Sequence, residues 1–261
     1  MSNISDKAYV HPNATLGNNV TVEPFAFVDD NTVIGDNTLI MSGAVVRSGA
    51  RIGSNCRIFS GAVIAGIPQD LKFKGEETYA VIGDNTTVRE CVTVNRGTAS
   101  KGETVVGANC LLMAYSHIAH DCILKDSIII GNATQLAGEV EVEHHAIVSG
   151  GTLAHQFTRI GAHVMVQGGT RLGKDIPPFI IAGREPVCYS GVNIIGLRRH
   201  GFSNEKINEI QEIYRVIYQS GYNFSDAVAK IEDSFEKTAE TELIVNFVKA
   251  SSRGIIRGYL G

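Results

Sequence analysis

The stretch VDDNTVIGDNTLIMSGAVVRSGARI, residues 28–52, carries an aliphatic side chain at every sixth position: Val28, Ile34, Ile40, Val46 and Ile52. Neither a helix, whose period is about 3.6 residues, nor a half-buried strand, whose period is about 2, produces this spacing. A fixed longer period is an internal repeat, and repeats indicate a fold built by stacking one short unit. The repeat therefore decides the fold class.

The same register extends along most of the chain up to Leu172. Of the 28 positions reached by steps of six from Val10, 24 are Val, Ile or Leu, against roughly a quarter expected from ordinary composition. The position three residues further on is rich in Asn and Gly, which tolerate a left-handed backbone, and the residue after it is often small. This pattern predicts flat strands and tight turns, three strands to a coil, with aliphatic and small side chains inside. We expect about nine coils, a parallel β-helix ~45 Å long at a strand spacing of ~4.8 Å.

The repeat is interrupted in two places, at residues 66–80 (GIPQDLKFKGEETYA) and 95–104 (NRGTASKGET), and the register resumes unshifted after each. We interpret both segments as loops extruded from the prism, and loops on a rigid scaffold commonly carry function. Cys56, Cys110 and Cys122 fall on the small inward position. They are therefore predicted to be packed core residues rather than reactive thiols.

Towards the C-terminus the six-residue pattern gives way to helical spacing. Residues 203–220 (SNEKINEIQEIYRVIYQS) place apolar side chains three or four apart behind a serine cap. A second helix is predicted to begin at Ser225, and the apolar residues within 243–248 mark a third. We therefore predict a mainly β protein, with a β-helix domain over 1–190 and a small C-terminal α-helical domain over 191–261.

The composition limits the classes of function. A formal charge of −4 and a pI near 6.1 argue against binding nucleic acid or a membrane surface through bulk positive charge, so any basic site must be local. The N-terminus lacks a charged leader followed by an apolar run, and no segment approaches about 18 apolar residues. We therefore expect a cytoplasmic protein without an integral membrane segment. The five cysteines show neither zinc-type nor disulfide spacing.

The candidate site lies in the stretch LLMAYSHIAHDC, residues 111–122, where His117 and His120 stand three residues apart and Asp121 follows. A carboxylate beside an imidazole fixes its tautomer and stabilises its protonated form, and a general base needs both effects. We therefore predict that His120 is a general base supported by Asp121. A surface histidine is an equally good interpretation of His117.

Stacking of the coils brings further residues to this pair. Because one coil contains about 18 residues, His120 is expected to share a column with Gly138 and Gln156, and His117 is expected to stack on Gln135. Gly138 has no side chain and is expected to leave room for a substrate beside His120. We therefore expect an outward-facing groove that contains a base.

A metal site is the rival interpretation of these histidines. The trimeric γ-class carbonic anhydrases use the same kind of scaffold and bind zinc with three histidines, two of them five residues apart in one chain. Here the spacing is three, and the residue five after His117 is Cys122, which faces inward by register. A zinc hydratase is therefore disfavoured, and no metal is predicted.

A more specific pattern lies in eight segments. They are PQDLKFKGE (68–76), VRECVTVNRGT (88–98), HIAHDC (117–122), NATQLAGEV (132–140), AHQFTRIGAHVMV (154–166), DIPPFIIA (175–182), GVNIIGLRRHGFS (191–203) and SSRGIIR (251–257). Together, and over essentially the whole chain, they resemble the UDP-N-acetylglucosamine acyltransferases of lipid A biosynthesis. Many acyltransferases share the hexad repeat, but the combination of HIAHDC, AHQF and GVNxxGLxR is specific.

The resemblance implies a left-handed coil, which the period alone does not prove, and a homotrimer with its sites in clefts between subunits. It implies that His120 deprotonates the 3-hydroxyl of the sugar, that Asp121 orients His120, and that the Gly138 backbone N–H stabilises the oxyanion. The implied donor is a 3-hydroxyacyl thioester on the phosphopantetheine of acyl carrier protein. No other cofactor is expected.

The resemblance also supplies binding residues. Those implied around the sugar nucleotide and the acyl chain are Gln69, Asp70, Lys72, His117, His155, Gln156, Gly168, Asn193 and Arg199. Arg199 suits a diphosphate, and the absence of a side chain at Gly168 resembles family members that use long acyl chains. The residues predicted to dock the acidic carrier protein are Arg198, His200, Arg253 and Arg257.

Three positions depart from the family pattern, which often has Glu at Ile195, His at Asn95 and His at Glu139. Ile195 cannot accept a hydrogen bond from a ribose or a base, so nucleotide contacts are expected to differ there. The sequence leaves open the acyl length and the choice between UDP-N-acetylglucosamine and its 3-amino analogue as acceptor. A related N-acyltransferase with an added N-terminal uridine-binding domain is disfavoured, since the hexads begin at Val10. A non-catalytic β-helix would explain the repeat but not the shared column.

Overall fold

The computed structural model describes residues 2–258, and within them the repeat forms a prism of short parallel strands. The first strands are β1 (Asn3–Ile4), β2 (Tyr9–Val10), β3 (Thr15–Leu16), β4 (Thr21–Val22), β5 (Phe27–Val28), β6 (Val33–Ile34), β7 (Leu39–Ile40), β8 (Val45–Val46) and β9 (Ala50–Ile52). The middle strands are β10 (Arg57–Ile58), β11 (Val63–Gly66), β12 (Tyr79–Ile82), β13 (Thr87–Val88), β14 (Thr93–Asn95), β15 (Glu103–Val106), β16 (Leu111–Leu112), β17 (His117–Ile118) and β18 (Ile123–Leu124). The last are β19 (Ile129–Ile130), β20 (Gln135–Leu136), β21 (Glu141–Val142), β22 (Ile147–Val148), β23 (Leu153–Ala154), β24 (Arg159–Ile160), β25 (Met165–Val166), β26 (Arg171–Leu172), β27 (Ile180–Gly183), β28 (Cys188–Val192) and β29 (Arg257–Gly258).

Three sheets form the walls of the prism, and consecutive strands from β1 to β27 lie in different sheets. The first sheet has the order β1-β4-β7-β10-β13-β16-β19-β22-β25-β27-β28-β29, the second β2-β5-β8-β11-β14-β17-β20-β23-β26, and the third β3-β6-β9-β12-β15-β18-β21-β24. Each prism strand pairs in parallel with the strand one coil later. His117 pairs with Gln135, for example, an offset of 18 residues. The predicted stacking is therefore confirmed.

The core of the prism consists of the residues that set the period. Ile34, Ile40 and Val46 are at most 1% exposed, and complete burial of such a side chain stabilises a fold by roughly 1.5–3 kcal/mol. The turns between strands use the predicted left-handed backbone, as at Asn37, where φ is 57°. One sequence thus supplies both the apolar interior and the sharp corners.

Cys56, Cys110 and Cys122 are buried and free, as predicted. Burial raises the pKa of the Cys122 thiol to about 12, so this side chain stays protonated and packs as a small apolar group.

Both predicted loops leave the same edge of the prism. One joins β11 to β12 over residues 67–78, and the other joins β14 to β15 over residues 96–102. The edge is the set of turns that connect the second sheet to the third, and we call it the loop corner. The loops contact each other there, because Glu76 accepts a hydrogen bond from the backbone N–H of Ala99 at 3.2 Å.

Within the described part of the chain, four helices follow the prism. They are α1 (Ile194–Arg199), α2 (Asn204–Gln219), α3 (Phe224–Ser234) and α4 (Ala239–Lys249). Ser203 caps α2, as predicted, by accepting a hydrogen bond from the N–H of Lys206. The expected helix start at Ser225 is displaced, because Asn223 supplies the cap and α3 begins one residue before Ser225. The sequence did not predict α1, which is a single six-residue segment.

The helical segment and the prism are joined through the first sheet. Strands β27 and β28 form an antiparallel hairpin on the last coil, and β29 returns to pair with β28. The buried Tyr214 of α2 donates a hydrogen bond to the Pro178 carbonyl at 2.6 Å. The expected domain boundary between residues 190 and 191 falls inside β28. None of the helices within residues 2–258 has the length and apolar character needed to cross a membrane.

Candidate active site

The loop corner positions His120 and Asp121 in the turn between β17 and β18. Asp121 occupies the left-handed turn position, with φ 61°, and its short polar side chain tolerates this backbone. The His120 Nδ1 lies 2.8 Å from Asp121 Oδ2. A carboxylate at this distance accepts a hydrogen bond from the Nδ1–H group, which leaves Nε2 unprotonated and free to accept a proton.

Loop 96–102 closes over the Asp121 carboxylate, which is completely buried. Oδ2 accepts a hydrogen bond from the Thr98 hydroxyl at 2.6 Å, and Oδ1 accepts bonds from the backbone N–H groups of Thr98 and Lys101 at 2.9 and 3.2 Å. Burial alone raises the pKa of Asp121, but the bonds from Thr98, His120 and Lys101 outweigh it and hold the pKa below its ordinary value. The carboxylate beside His120 is therefore held ionised.

Gly138 lies directly against His120, but not for the predicted reason. A Cβ at residue 138 would lie 2.5 Å from His120 Cε1 and 2.6 Å from Nε2. The space that glycine frees is therefore taken by the imidazole itself and not by a substrate. His120 is correspondingly only 8% exposed, rather than the outward-facing side chain that the register suggested.

The backbone N–H of Gly138 remains available. Its neighbours in the chain are paired, since Ala137 N–H donates to Ala154 and Glu139 N–H donates to the His120 carbonyl. Among residues 2–258 the Gly138 N–H has no backbone acceptor. A free N–H beside the ring of a base is the arrangement that an oxyanion site requires.

His117 lies three residues before His120, in strand β17 of the second sheet. Its Nδ1 lies 2.7 Å from the Thr93 hydroxyl, one coil above, and its backbone pairs with Gln135 below. Burial lowers the pKa of His117, and the neighbouring His120 lowers it further. His117 is therefore a neutral imidazole at neutral pH, suited to hydrogen bonding.

Several predicted binding residues meet beside this pair. A cavity of about 270 Å³ is lined by Asp70 and Lys72 from loop 67–78, by Thr98, and by Gln156 from the His120 column. Gln69 is exposed at the edge of the same loop.

His155 lies in the turn beside Gln156 and is exposed, with its Nδ1 3.0 Å from the Gln156 carbonyl. The loop corner thus brings together the polar side chains that the sequence placed 50 to 90 residues apart.

The remaining predicted binding residues lie at the other two corners. Gly168 follows β25, in a turn from the first sheet to the second. Asn193 caps α1 and its Nδ2 donates to the His163 carbonyl at 2.9 Å, so Asn193 and Arg199 lie near the turns from the third sheet to the first. We call this edge the helix corner. One chain therefore does not bring these residues to His120.

The predicted carrier-docking residues also separate into two places. Arg198 donates to Asn204 Oδ1 at 3.1 Å, and the His200 ring packs 4.5 Å from the His145 ring at the helix corner. Arg253 donates to the Gly173 carbonyl at 3.1 and 3.2 Å, which ties the tail to the last coil. Arg257 lies in β29 and lines a separate cavity.

The three departures from the family pattern have different surroundings. Ile195 is 67% exposed on α1, and Glu139 Oε1 accepts a hydrogen bond from the Ser100 hydroxyl at 3.2 Å. Asn95 is buried, and its Oδ1 has no partner among the described residues. Its Nδ2 would lie 2.9 Å from a Cβ on Gly66, so the backbone fits closely around this amide.

Sequence reasoning missed Thr98 and Thr93. The loop itself could have indicated Thr98, because residues inserted into the coil before His120 must lie over the same corner as His120.

Within residues 2–258 no group of three or more His, Cys, Asp or Glu side chains is placed to hold a metal ion.

Stacked hexapeptide coils with a histidine and aspartate pair at one corner define a transferase of the hexapeptide-repeat class. A family profile described as UDP N-acetylglucosamine O-acyltransferase, domain 2, matches residues 175–256, and one described as bacterial transferase hexapeptide (six repeats) matches residues 31–66. An acyl-[acyl-carrier-protein]–UDP-N-acetylglucosamine O-acyltransferase of Alkalilimnicola ehrlichii is 50% identical over 258 residues, which cover 98% of this chain and 100% of the relative. The chain belongs to the UDP-N-acetylglucosamine O-acyltransferase family.

Solved structures agree with this assignment. A UDP-N-acetylglucosamine acyltransferase from Bacteroides fragilis matches with a TM-score of 0.96 and 57% identity, covering 97% of this chain and 99% of that one. The enzyme from Francisella novicida matches with a TM-score of 0.95 and 36% identity, covering 98% and 95%. These matches confirm a left-handed parallel β-helix followed by a helical segment, and they confirm that the chain is an acyltransferase.

Proposed function

We propose that the protein transfers a 3-hydroxyacyl group from acyl carrier protein to the 3-hydroxyl of UDP-N-acetylglucosamine, the first step of lipid A biosynthesis. The observation that carries this proposal is the His120 imidazole, fixed by Asp121 on one nitrogen and packed on Gly138, beside a free backbone N–H. A carrier-bound donor and a nucleotide-activated acceptor are cytoplasmic metabolites, so we place the reaction in the cytoplasm.

The chemistry follows from the two ring nitrogens of His120. Nε2 takes the proton of the sugar hydroxyl while its oxygen attacks the thioester carbonyl. The Gly138 N–H donates to the resulting oxyanion, and the Asp121 carboxylate stabilises the imidazolium. When the tetrahedral intermediate collapses, the carbon–sulfur bond breaks and the imidazolium returns its proton to the phosphopantetheine sulfur. No covalent enzyme intermediate and no further cofactor are needed.

Thr98 acts in this scheme as a positioning residue. It acts through Asp121, because its N–H and its hydroxyl bind the two oxygens of that carboxylate. Asp70, Lys72 and Gln156 face the adjoining cavity and are proposed to bind the acceptor together with Gln69, His155 and the neutral His117.

A homotrimer completes the proposed site. Gly168, Asn193 and Arg199 lie at corners away from His120, so they reach its groove only from a second chain. Large apolar side chains on loop 67–78 and the nearby sheet support such contact, because Leu71 is fully exposed and Leu153 is 45% exposed. Arg199 would then bind the diphosphate, and Gly168 would border the acyl chain.

Complementation tests the shared site. Chains carrying His120→Ala and chains carrying Arg199→Ala are each expected to be nearly inactive alone. Co-expressed, they form mixed trimers in which some clefts receive both wild-type residues, so activity should return to roughly a third of wild type or less. A monomer mass of 28.0 kDa with full activity, or no recovery in confirmed mixed trimers, would contradict a site built from two chains.

The carrier protein is proposed to dock on Arg198, His200, Arg253 and Arg257. The three arginines of this set provide local positive charge on a chain whose net charge is −4, and contacts between charges are screened over about 8–10 Å at ordinary ionic strength. The KM for the carrier should therefore rise more steeply with salt than the KM for the sugar nucleotide.

The function itself is tested with purified protein. Acyl carrier proteins loaded with 3-hydroxyacyl groups of several lengths are paired with UDP-N-acetylglucosamine and, separately, with its 3-amino analogue, and products are identified by mass spectrometry. The proposal expects an ester product with the hydroxyl acceptor. Transfer to the amino analogue alone would replace the proposed acceptor.

A further inference from the structure

A second cavity, of about 850 Å³, lies between the last coil of the prism and the C-terminal strand. Its volume falls within the ~300–1,000 Å³ that is usual for small-molecule sites. Four of its lining side chains are basic, namely Arg171, Lys174, Arg184 and Arg257, and Glu185 is the acidic one. The predicted catalytic and sugar-binding residues do not line it.

Three of the four basic side chains of this cavity have no partner among the residues that the structure describes. Arg171, Lys174 and Arg257 make no ion pair and no side-chain hydrogen bond within residues 2–258, whereas Arg184 already has another contact. Nearby arginines behave differently, since Arg159 pairs with Glu141 at 3.4 Å. Like charges that share one concave surface repel each other. A bound anion would remove that repulsion.

The rest of the wall indicates what accompanies the anionic group. Pro186, Val187 and the almost completely buried Ile256 supply an apolar surface next to the cations. We infer that this cavity binds a phosphorylated organic molecule, with phosphate on Arg171, Lys174 and Arg257 and an apolar part against Pro186 and Val187. Guanidinium groups match phosphate oxygens in a bidentate geometry, and a lysine adds a point charge.

The site is separate from the reacting groups. Lys174 stands in the same column as His120 but three coils further on, ~14 Å away at a strand spacing of ~4.8 Å. Arg257 also belongs to the proposed carrier-docking patch, but Arg171 and Lys174 do not. A ligand here would bridge the last coil, through Arg171 and Lys174, to β29, through Arg257. It would therefore stabilise the junction of the prism with the C-terminal segment.

Binding measurements on the full chain test the inference. The probes are inorganic pyrophosphate, UDP and 4′-phosphopantetheine, titrated by calorimetry at constant ionic strength. Arg171→Gln combined with Lys174→Gln removes two cations without touching the docking patch. We expect binding of the phosphorylated probes at this site to weaken at least about tenfold, because hydrogen bonds to charged groups are the stronger ones. Lys125→Gln with Lys237→Gln, two exposed lysines elsewhere, should leave it unchanged.

Further probes and variants distinguish the contribution of the phosphate group from that of the apolar wall. Pantetheine without its phosphate should not bind, and pyrophosphate should bind more weakly than 4′-phosphopantetheine or UDP, because it has no apolar part to place against Pro186 and Val187. Arg171→Lys with Lys174→Arg keeps the charges and should retain binding, which separates charge from misfolding. Equal affinity of every probe for wild type and the double Gln variant would overturn the inference. So would UDP binding that is lost only in Arg199→Gln, because that site is the proposed nucleotide site.

Discussion

The loop corner and the helix corner carry histidines in the same kind of turn, yet their chemistry differs. At the loop corner His120 meets an ionised carboxylate on one nitrogen and a glycine under its ring. At the helix corner His145 and His163 stack with ring centroids 4.9 Å apart, and His200 packs against both. The coil geometry is shared, so the neighbours decide what each imidazole can do.

The helix corner shows what happens without a carboxylate contact. Burial, followed by the nearby His145, His200 and His144, lowers the pKa of His163 to about 4. Its Nδ1 is buried with no partner among the described residues. An imidazole in these surroundings resists protonation and packs as an aromatic ring. The scaffold therefore offers several histidine positions, but among the described residues only His120 has a carboxylate hydrogen-bonded to its ring.

Among changes that keep the polar groups of the loop corner, filling the space that Gly138 leaves for the His120 ring should reduce activity most. Gly138→Ala places a methyl group 2.5 Å from the ring, so the imidazole must move, and displacement of a reacting group by about 1 Å costs roughly 10²-fold in rate. Steady-state kinetics should show the loss in kcat. Gly173→Ala is the matched control, because nothing lies within 4 Å of its Cβ. A Gly138→Ala enzyme within about twofold of wild type would contradict the close packing.

Removing one hydrogen bond from the Asp121 carboxylate should reduce activity by a smaller factor. Thr98→Val removes the hydroxyl bond to Asp121 and should lower kcat/KM about tenfold, at the low end of losses from positioned groups. Because that bond helps to lower the pKa of Asp121, its loss raises the pKa, and the acid limb of the pH–rate profile should move to higher pH.

Thr158→Val is the control for this change, since the buried Thr158 hydroxyl has no partner among the described residues and its loss should leave the profile in place. A rate loss without the shift of the acid limb would mean that Thr98 only supports the loop.

At the helix corner, His163 should affect the stability of the protein rather than the rate of its reaction. The folded pKa of His163 is about 4, below its ordinary value of 6.5, so the unfolded chain binds more protons between these values. Stability should therefore rise with pH from about 4 to 6.5, by at most about 1.4 kcal/mol per pH unit. His163→Asn, which suits the left-handed turn, should reduce this slope. An unchanged slope in denaturant unfolding would mean that other groups cause it.

The period made most of the fold and part of the site predictable. Any two residues 18 apart in an uninterrupted run stack, which is why the column of His120 and Gly138 was foreseen. The prediction that Gly138 leaves room for a substrate was wrong, because the His120 ring fills that space. The six-residue period gives the position of each residue but not the rotamer of a neighbouring side chain. Thr98 was missed since its loop leaves the repeat, and contacts with Asp121 rather than local pattern determine its path. Helix α1 has six residues, too few for a periodic signal.

The most direct test of the central claim compares one histidine from each corner in a single assay. Initial rates of 3-hydroxyacyl transfer to UDP-N-acetylglucosamine are measured for wild type, His120→Ala and His145→Asn, with trimer content and far-UV spectra checked for each. Loss of a general base costs ~10²–10⁴ in rate, so His120→Ala should lose nearly all activity while His145→Asn keeps most of it. If correctly folded His120→Ala retained more than about a tenth of the wild-type rate, or if His145→Asn lost as much as His120→Ala, the loop corner would not contain the base.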